Sequence, residues 1–219
     1  MEFYEVLKQR RSMRAFLPDP VEQSVIERVL TTALQAPSNC NTQPWYVHIV
    51  SGEKIDELRA TLPQKFMAGE LSLDYPYDGK YDGDFKVRQY AAAQALYDSL
   101  GIARDDKANR HAAFMRNFTF FDAPHVAFFY LPADFGLREA CDLGMFAQSV
   151  MLGLVNEGLG SCPQTALGMF ANTLKESLSI PDDRKLMFGL SFGYVDREDP
   201  VNSCTTDRAA PDQLIQWHS

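Results

Sequence analysis

Residues 19–50 read DPVEQSVIERVLTTALQAPSNCNTQPWYVHIV, and the change of period inside this stretch decides the fold class. Asp19-Pro20-Val21-Glu22 combines an N-cap, a proline in the first helical position and a capping-box glutamate. Val25, Val29, Leu30, Ala33 and Leu34 follow at helical spacing, which predicts one buried face. The helix must stop near Ala36-Pro37, because proline pushes the preceding residue out of the helical region. Ser38 to Pro44 has no period at all, and Trp45 to Val50 is a short β-rich run that predicts the first strand. A polar loop is thus expected between a helix and a strand.

Toward the N-terminus, Phe3, Val6, Leu7 and Arg10 lie three and four apart, predicting a helix over the first ten residues. Its end delivers Arg10-Arg11-Ser12-Met13-Arg14. Toward the C-terminus, residues 53–61 read as a surface helix, Val126 to Leu131 as an apolar central strand, and 137–157 as a buried helix ended by Gly158. Gly158 to Ala166 reads as a second special loop, residues 171–179 as a helix stopped by Pro181, and Leu186 to Val195 as a third strand. From Leu62 to Phe121 the composition shifts to aromatic residues and glycines followed by an alanine-rich helical pattern. Residues from about 64 to 118 are therefore expected to form an inserted helical lid or binding wall on a single domain spanning 1–219. The order of elements is α+β, a central sheet wrapped by helices. The tail from Asp196 to Ser219 is polar, yet it ends with Leu214, Ile215 and Trp217, which need a surface to cover them, such as another subunit.

The totals bound the function. A chain of 219 residues with 46% hydrophobic and 23% charged residues has an ordinary globular composition. The net charge of −8 repels nucleic acid and anionic lipid, so neither is an expected partner. The acidic start, Glu2 and Glu5, is unlike a signal peptide, and no apolar run reaches membrane-spanning length, so a cytoplasmic protein is expected. Cys40, Cys141, Cys162 and Cys204 are widely spaced, with no C-x-x-C pair and no zinc-site histidine spacing, and read as free thiols. No metal is expected, and His48, His111, His125 and His218 read as structural or surface residues.

Two segments could carry chemistry. Arg10, Arg11 and Arg14 with Ser12 form a cation cluster that could grip a phosphate through charge-assisted hydrogen bonds, or could be a solvated basic turn. The loop Pro37 to Pro44 offers amides and hydroxyls suited to the edge of a flavin or nucleobase, or equally to a turn rich in Asx-type bonds. The dinucleotide, P-loop, nucleophile-elbow and zinc-protease motifs are all missing, which disfavours those enzyme classes.

The two segments together, Arg10 to Phe16 and then Ala36-Pro37-Ser38-Asn39-Cys40-Asn41-Thr42-Gln43-Pro44-Trp45, resemble the FMN-dependent nitroreductase family. The likeness continues through Gly158 to Ala166 and through Ile180-Pro181 to Gly189-Leu190-Ser191-Phe192-Gly193-Tyr194. Leu100 to Asp106 and Arg116 to Pro124 look like the branch of nitrobenzoate and nitroarene reductases. The resemblance implies a nitroreductase-like fold with a central mixed β-sheet and a homodimer that exchanges its C-terminal tail and shares two FMN sites. It also implies ping-pong hydride transfer from NADH or NADPH to a small aromatic acceptor, a nitroaromatic or a quinone. Arg10, Arg11 and Ser12 would hold the phosphate and ribityl end, and Arg14 the pyrimidine edge. Pro37, Ser38, Asn39, Asn41 and Gln43 would come from the partner, while Pro163, Gln164, Thr165 and Ala166 would lie near N5. The flavin does the hydride chemistry, so no side chain is named as acid or base. Tyr75, Tyr77, Phe120 and Phe121 are expected to shape the acceptor pocket. Rival readings keep the flavin but change the reaction, to reductive dehalogenation or enone reduction, or keep it without turnover.

One departure stands out. The family often carries N-x-x-R-T-x-R near the C-terminus, and Asn202-Ser203-Cys204-Thr205-Thr206-Asp207-Arg208 has Thr205 where the first arginine falls. Arg208 is the remaining cation, and FMN binding weaker than is usual for the family is expected, since a charged hydrogen bond is worth roughly 1.5–3 kcal/mol.

Overall fold

The computed structural model describes residues 1–219. Its frame is one four-stranded sheet in the order β1-β2-β4-β3, with β1 Tyr46–Ser51, β2 His125–Pro132, β3 Gly160–Gln164 and β4 Arg184–Gly193. The helices are α1 Phe3–Gln9, α2 Gln23–Ala33, α3 Gly52–Met67, α4 Gly83–Ser99, α5 Lys107–Met115, α6 Leu137–Asn156, α7 Ala171–Leu178 and the single turn α8 Pro211–Leu214. The α+β class is as the sequence implies.

Alternation along β2 builds two cores, since successive side chains of a strand point to opposite faces. Ala127, Phe129 and Leu131 pack with α2 and α6 through Val29, Ala33, Leu143, Ala147, Val150 and Leu154. Val126, Phe128 and Tyr130 pack on the other face with Ile55, Leu58 and Leu62 of α3 and with Phe118, Phe120, Phe170 and Leu174. Each fully buried large side chain contributes about 1.5–3 kcal/mol. The end of α6 follows the glycine-stop geometry: Gly158 has φ of 78°, and the Leu159 and Gly158 amides donate to Leu154 and Val155 carbonyls at 2.9 and 3.0 Å.

Three expectations need correction. The sheet is not mixed: every strand pair is antiparallel. The crossover through α6 does run β2 and β3 in the same direction, but β4 lies between them and opposes both. The segment from Gly158 to Ala166 is not all loop, because Gly160–Gln164 forms the edge strand β3. Finally, Asp19, Pro20 and Glu22 do not build the expected capping box. Helix α2 starts at Gln23 without a side-chain cap, and the Val21 amide instead donates to His125 Nε2 at 2.9 Å.

That bond fixes the state of His125. Its Nε2 accepts from Val21, so the proton lies on Nδ1, 2.7 Å from Ser51 Oγ, which accepts it. Burial holds its pKa below the ordinary 6.5. A depressed histidine pKa adds stability that is complete above the unfolded value and is lost as pH falls below it toward the folded value. Half-buried His48 has the same sign, from burial and then from nearby Arg184. Melting temperature is therefore expected to drop on acidification from pH 6.5 to 5. His125→Gln should flatten that slope, and equal slopes for the two proteins would remove His125 as its source.

Candidate functional site

The segment after α1 is pinned along the sheet edge. Met13 donates its amide to Ser161 O at 3.0 Å, Leu17 donates to Tyr194 O at 2.9 Å, and Ser12 bridges Ser161 in parallel. Gly160 makes the approach possible: a Cβ there would sit 2.3 Å from Val195 Cγ2 and 2.9 Å from Met13 Cγ. Buried Asn202 completes the clamp, its Oδ1 accepting from the Arg14 amide at 2.7 Å and its Nδ2 donating to the Ala15 and Asp196 carbonyls at 2.8 and 2.7 Å.

This pinning lays Arg10, Arg11, Ser12 and Arg14 around a cavity of about 540 Å³ that Cys204, Thr205, Thr206 and Arg208 close from the C-terminal segment. Two segments distant in sequence thus meet at one cavity. Leu7, Lys8 and Gln148 also line it. Lys8 lies three positions before Arg11, one helical turn that could have signalled it, whereas nothing in the pattern of α6 marks Gln148. No carboxylate faces the cavity. The Arg10 pKa is held below its usual value by burial and then by neighbouring Arg208, so like charges are pressed together without a counter-ion. Arg208 is steadied by its own loop, donating to Thr206 O and Oγ1 at 3.0 and 2.9 Å. Cations, a hydroxyl and no acid make a donor set that fits a phosphate monoester.

Arg14 is shared with a second cavity of about 550 Å³ under α4 and α5. Its walls are apolar, from Leu96, Leu100, Ile102 and Phe114, with Asn109, Arg116, Asn117 and Phe121 as polar and aromatic points. Phe120, Phe121 and Asp122 have φ of 60°, 53° and 63°, three consecutive left-handed residues. Such conformations cost about 1–3 kcal/mol each and persist only where the surroundings impose them. Here Arg59 spans the turn, donating to Thr119 O at 3.3 Å and to Ala123 O. The turn sends the two phenylalanines opposite ways: Phe121 lines the cavity, whereas Phe120 is wholly buried against Phe128 and belongs to the core, contrary to its expected place in a pocket.

Tyr75 and Tyr77 are not beside Phe121 either. They line a separate cavity of about 160 Å³ with Thr165, Met169, Leu186 and Met187. Pro163 and Thr165 are exposed and Ala166 is half-buried. Gln164 is buried, its side chain accepting from Ser191 Oγ and donating to Asn117 O at 2.8 Å, and its backbone pairs with Gly189 in the sheet. Neighbouring Cys162 stays a thiol, its pKa pushed up to about 11 by burial against the weaker opposing pull of Arg14. All four cysteines are free.

The loop carrying Pro37, Ser38, Asn39, Asn41 and Gln43 lines none of these cavities. It is held by buried Asp142, which accepts from the Asn39 amide at 3.0 Å, and by Ser38 Oγ, which accepts from the Gln43 amide at 2.9 Å. Cys40, Asn41 and Gln43 have φ of 49°, 56° and 47°, a second left-handed cluster, and Asn39, Asn41 and Gln43 are exposed. Leu214, Ile215 and Trp217 are exposed as well, Trp217 by 92%. No helix is long and apolar enough to cross a membrane.

A family model described as the nitroreductase family matches residues 7–194. The chain is 38% identical over 213 residues to the nitroreductase NfnB of Mycolicibacterium smegmatis, covering 97% of this chain and 91% of that one. It is 31% identical to a 4-nitrobenzoate reductase of Pseudomonas putida, covering 94% and 91%. Its fold superposes with a TM-score of 0.95, at 36% identity over 99% of this chain and 97% of the other, on the crystal structure of the FMN-dependent NfnB from Mycobacterium smegmatis in complex with NADPH.

Proposed function

The chain belongs to the nitroreductase family, and from that premise we propose that it is an FMN-dependent oxidoreductase that takes hydride from NADH or NADPH and reduces nitroaromatic or quinone-like acceptors by a ping-pong cycle. The observation that carries the reading is the cation cradle without a carboxylate, joined through Arg14 to a large apolar cavity. Bound FMN would supply the two-electron relay between donor and acceptor. Arg10, Arg11, Ser12 and Arg208 would hold its phosphate and ribityl end. Arg14, at the junction, would set a positive charge beside the pyrimidine edge and stabilise negative charge there. Pro163 to Ala166 would present backbone groups at the hydride-accepting edge. The apolar cavity, with Phe121 as one wall, would exclude water and seat the aromatic acceptor.

The site as proposed is shared between two copies. The loop from Pro37 to Gln43 is built, strained and exposed away from its own cradle, as expected of a segment that serves the other protomer's flavin. The tail, with Trp217 at its end, would wrap the partner, and residues 64–118 would form the lid. The protein would work on small molecules in the cytoplasm.

The test is to load the purified protein with FMN and add NADH and NADPH separately without oxygen. Bleaching of the flavin followed by reoxidation with a nitroarene is the expected result. A protein that cannot be loaded with FMN, or whose flavin neither nucleotide bleaches, would overturn the reading. Thr205 gives a further expectation, since it lines the cradle where an arginine would add a charged hydrogen bond. Thr205→Arg should tighten FMN roughly tenfold or more by fluorescence titration, and unchanged affinity would show that the threonine costs nothing.

A further inference from the structure

Resting on that reading, we infer that a third cavity, at the turn between α4 and α5, binds the 2′-phosphorylated adenosine end of the reducing nucleotide, with Arg104 and Arg110 as the phosphate ligands. The cavity measures about 450 Å³ and is lined by Arg104, Arg110, Tyr90, Tyr97, Gln94 and small apolar residues, with no carboxylate among them. The sequence shows no basic patch here, because the two arginines are six residues apart with Asp105 and Asp106 between them. The fold brings them together. Gly101, at φ of 64°, turns the chain after α4, and Asp106 is drawn into the start of α5 by accepting from the Asn109 amide and side chain at 3.0 and 2.6 Å. Its carboxylate is thereby turned onto the start of α5 and does not line the cavity.

Neither Arg104 nor Arg110 forms an ion pair, in a chain whose net charge is −8. Arg110 is pre-oriented, its guanidinium lying 4.4 Å from the centroid of the Tyr97 ring and donating to Arg104 O at 2.8 Å. Two cations, one of them seated over an aromatic ring, suit a phosphate next to a purine. Position matters too. This cavity shares Tyr97 and Ile102 with the apolar cavity, which shares Arg14 with the cradle. An extended dinucleotide can therefore place its nicotinamide at the Arg14 end and its adenosine at the arginine pair. Arg104 and Arg110 would select the 2′-phosphorylated donor over its unphosphorylated counterpart.

The experiment uses the FMN-loaded protein and calorimetric titration with adenosine 2′,5′-bisphosphate, with adenosine 5′-monophosphate as the reference probe. The wild type should bind the bisphosphate roughly tenfold or more tightly than the monophosphate. Arg104→Gln and Arg110→Gln should each remove most of that preference, and Arg110→Lys should keep part of it. In turnover, the same variants should raise KM for NADPH with kcat little changed. Should Arg110→Gln fail to fold, exposed Arg104 decides the matter alone. No preference in the wild type, or a preference kept in Arg104→Gln, overturns the inference. If that happens while either nucleotide still bleaches the flavin, the reductase reading stands without it.

Discussion

Arg10→Gln combined with Arg208→Gln is expected to abolish retention of FMN, with the apparent Kd rising by at least roughly a hundredfold, while the FMN-free protein melts no lower than wild type. Each arginine offers charge-assisted bonds worth about 1.5–3 kcal/mol to a phosphate, discounted because both are partly exposed, and 1.4 kcal/mol is about tenfold in affinity. The sign of the second expectation comes from repulsion within the cradle itself. There Arg10 is depressed by burial and by Arg208, and the cavity has no carboxylate to compensate. Glutamine removes both penalties in the FMN-free state and the attraction in the bound state. Affinity is read by dialysis and fluorescence, stability by thermal melting. Unchanged FMN affinity would break the assignment of the cradle, and a collapsed melting temperature would show that the arginines are structural. The single variants should couple, since both charges act on one phosphate.

Period carried most of the architecture. The helical spacing of Val25, Val29, Leu30 and Ala33 and the apolar run from Val126 to Leu131 both fold as read, because each pattern matches a surface that tertiary packing then buries. What escaped was decided by partners distant in sequence. Helix α2 begins late because Val21 is bonded to His125, and no local signal at residue 21 announces a histidine 104 positions away. Strand β3, Gly-Ser-Cys-Pro-Gln, has no β-branched or aromatic residue and contains Pro163, which lacks an amide to donate. It survives as a strand because it lies on the sheet edge, where proline is tolerated, and because Gly160 lets Met13 approach.

The candidate site was legible in the same uneven way. Arg10, Arg11, Ser12 and Arg14 were readable because three cations and a hydroxyl stand within five positions, and Arg208 because a motif aligned it. Residues that act through geometry were not. Phe120 and Phe121 look equivalent in sequence, and only the left-handed turn spanned by Arg59 sends one to the core and the other to the cavity. Asp142, which anchors the loop from residue 37, lies on a helix whose pattern marks it as an ordinary polar position.

Asn202→Ala should be the most damaging single substitution near the cradle, lowering stability by about 2–5 kcal/mol and FMN affinity along with it. The residue is 8% exposed, and loss of its side chain leaves two backbone groups without partners, the Arg14 amide and the Asp196 carbonyl, while the Ala15 carbonyl keeps only the Asp196 amide at 3.2 Å. An unsatisfied buried group costs about 1–3 kcal/mol, and the upper sum is not reached because the opened site admits water. Asn202→Asp separates the roles. It can still accept from the Arg14 amide but, once ionised, faces two carbonyl oxygens to which it cannot donate. It should therefore also destabilise the protein, and its deficit should shrink on acidification, because the protonated acid can donate to one of those carbonyls. Denaturant midpoints for the wild type and both variants, taken from pH 7 down to 5, test this. Equal stability of Asn202→Ala and wild type would mean that the clamp does not hold the arginine segment. A loss of stability at wild-type FMN affinity would mean that it holds the segment without setting Arg14 for the flavin.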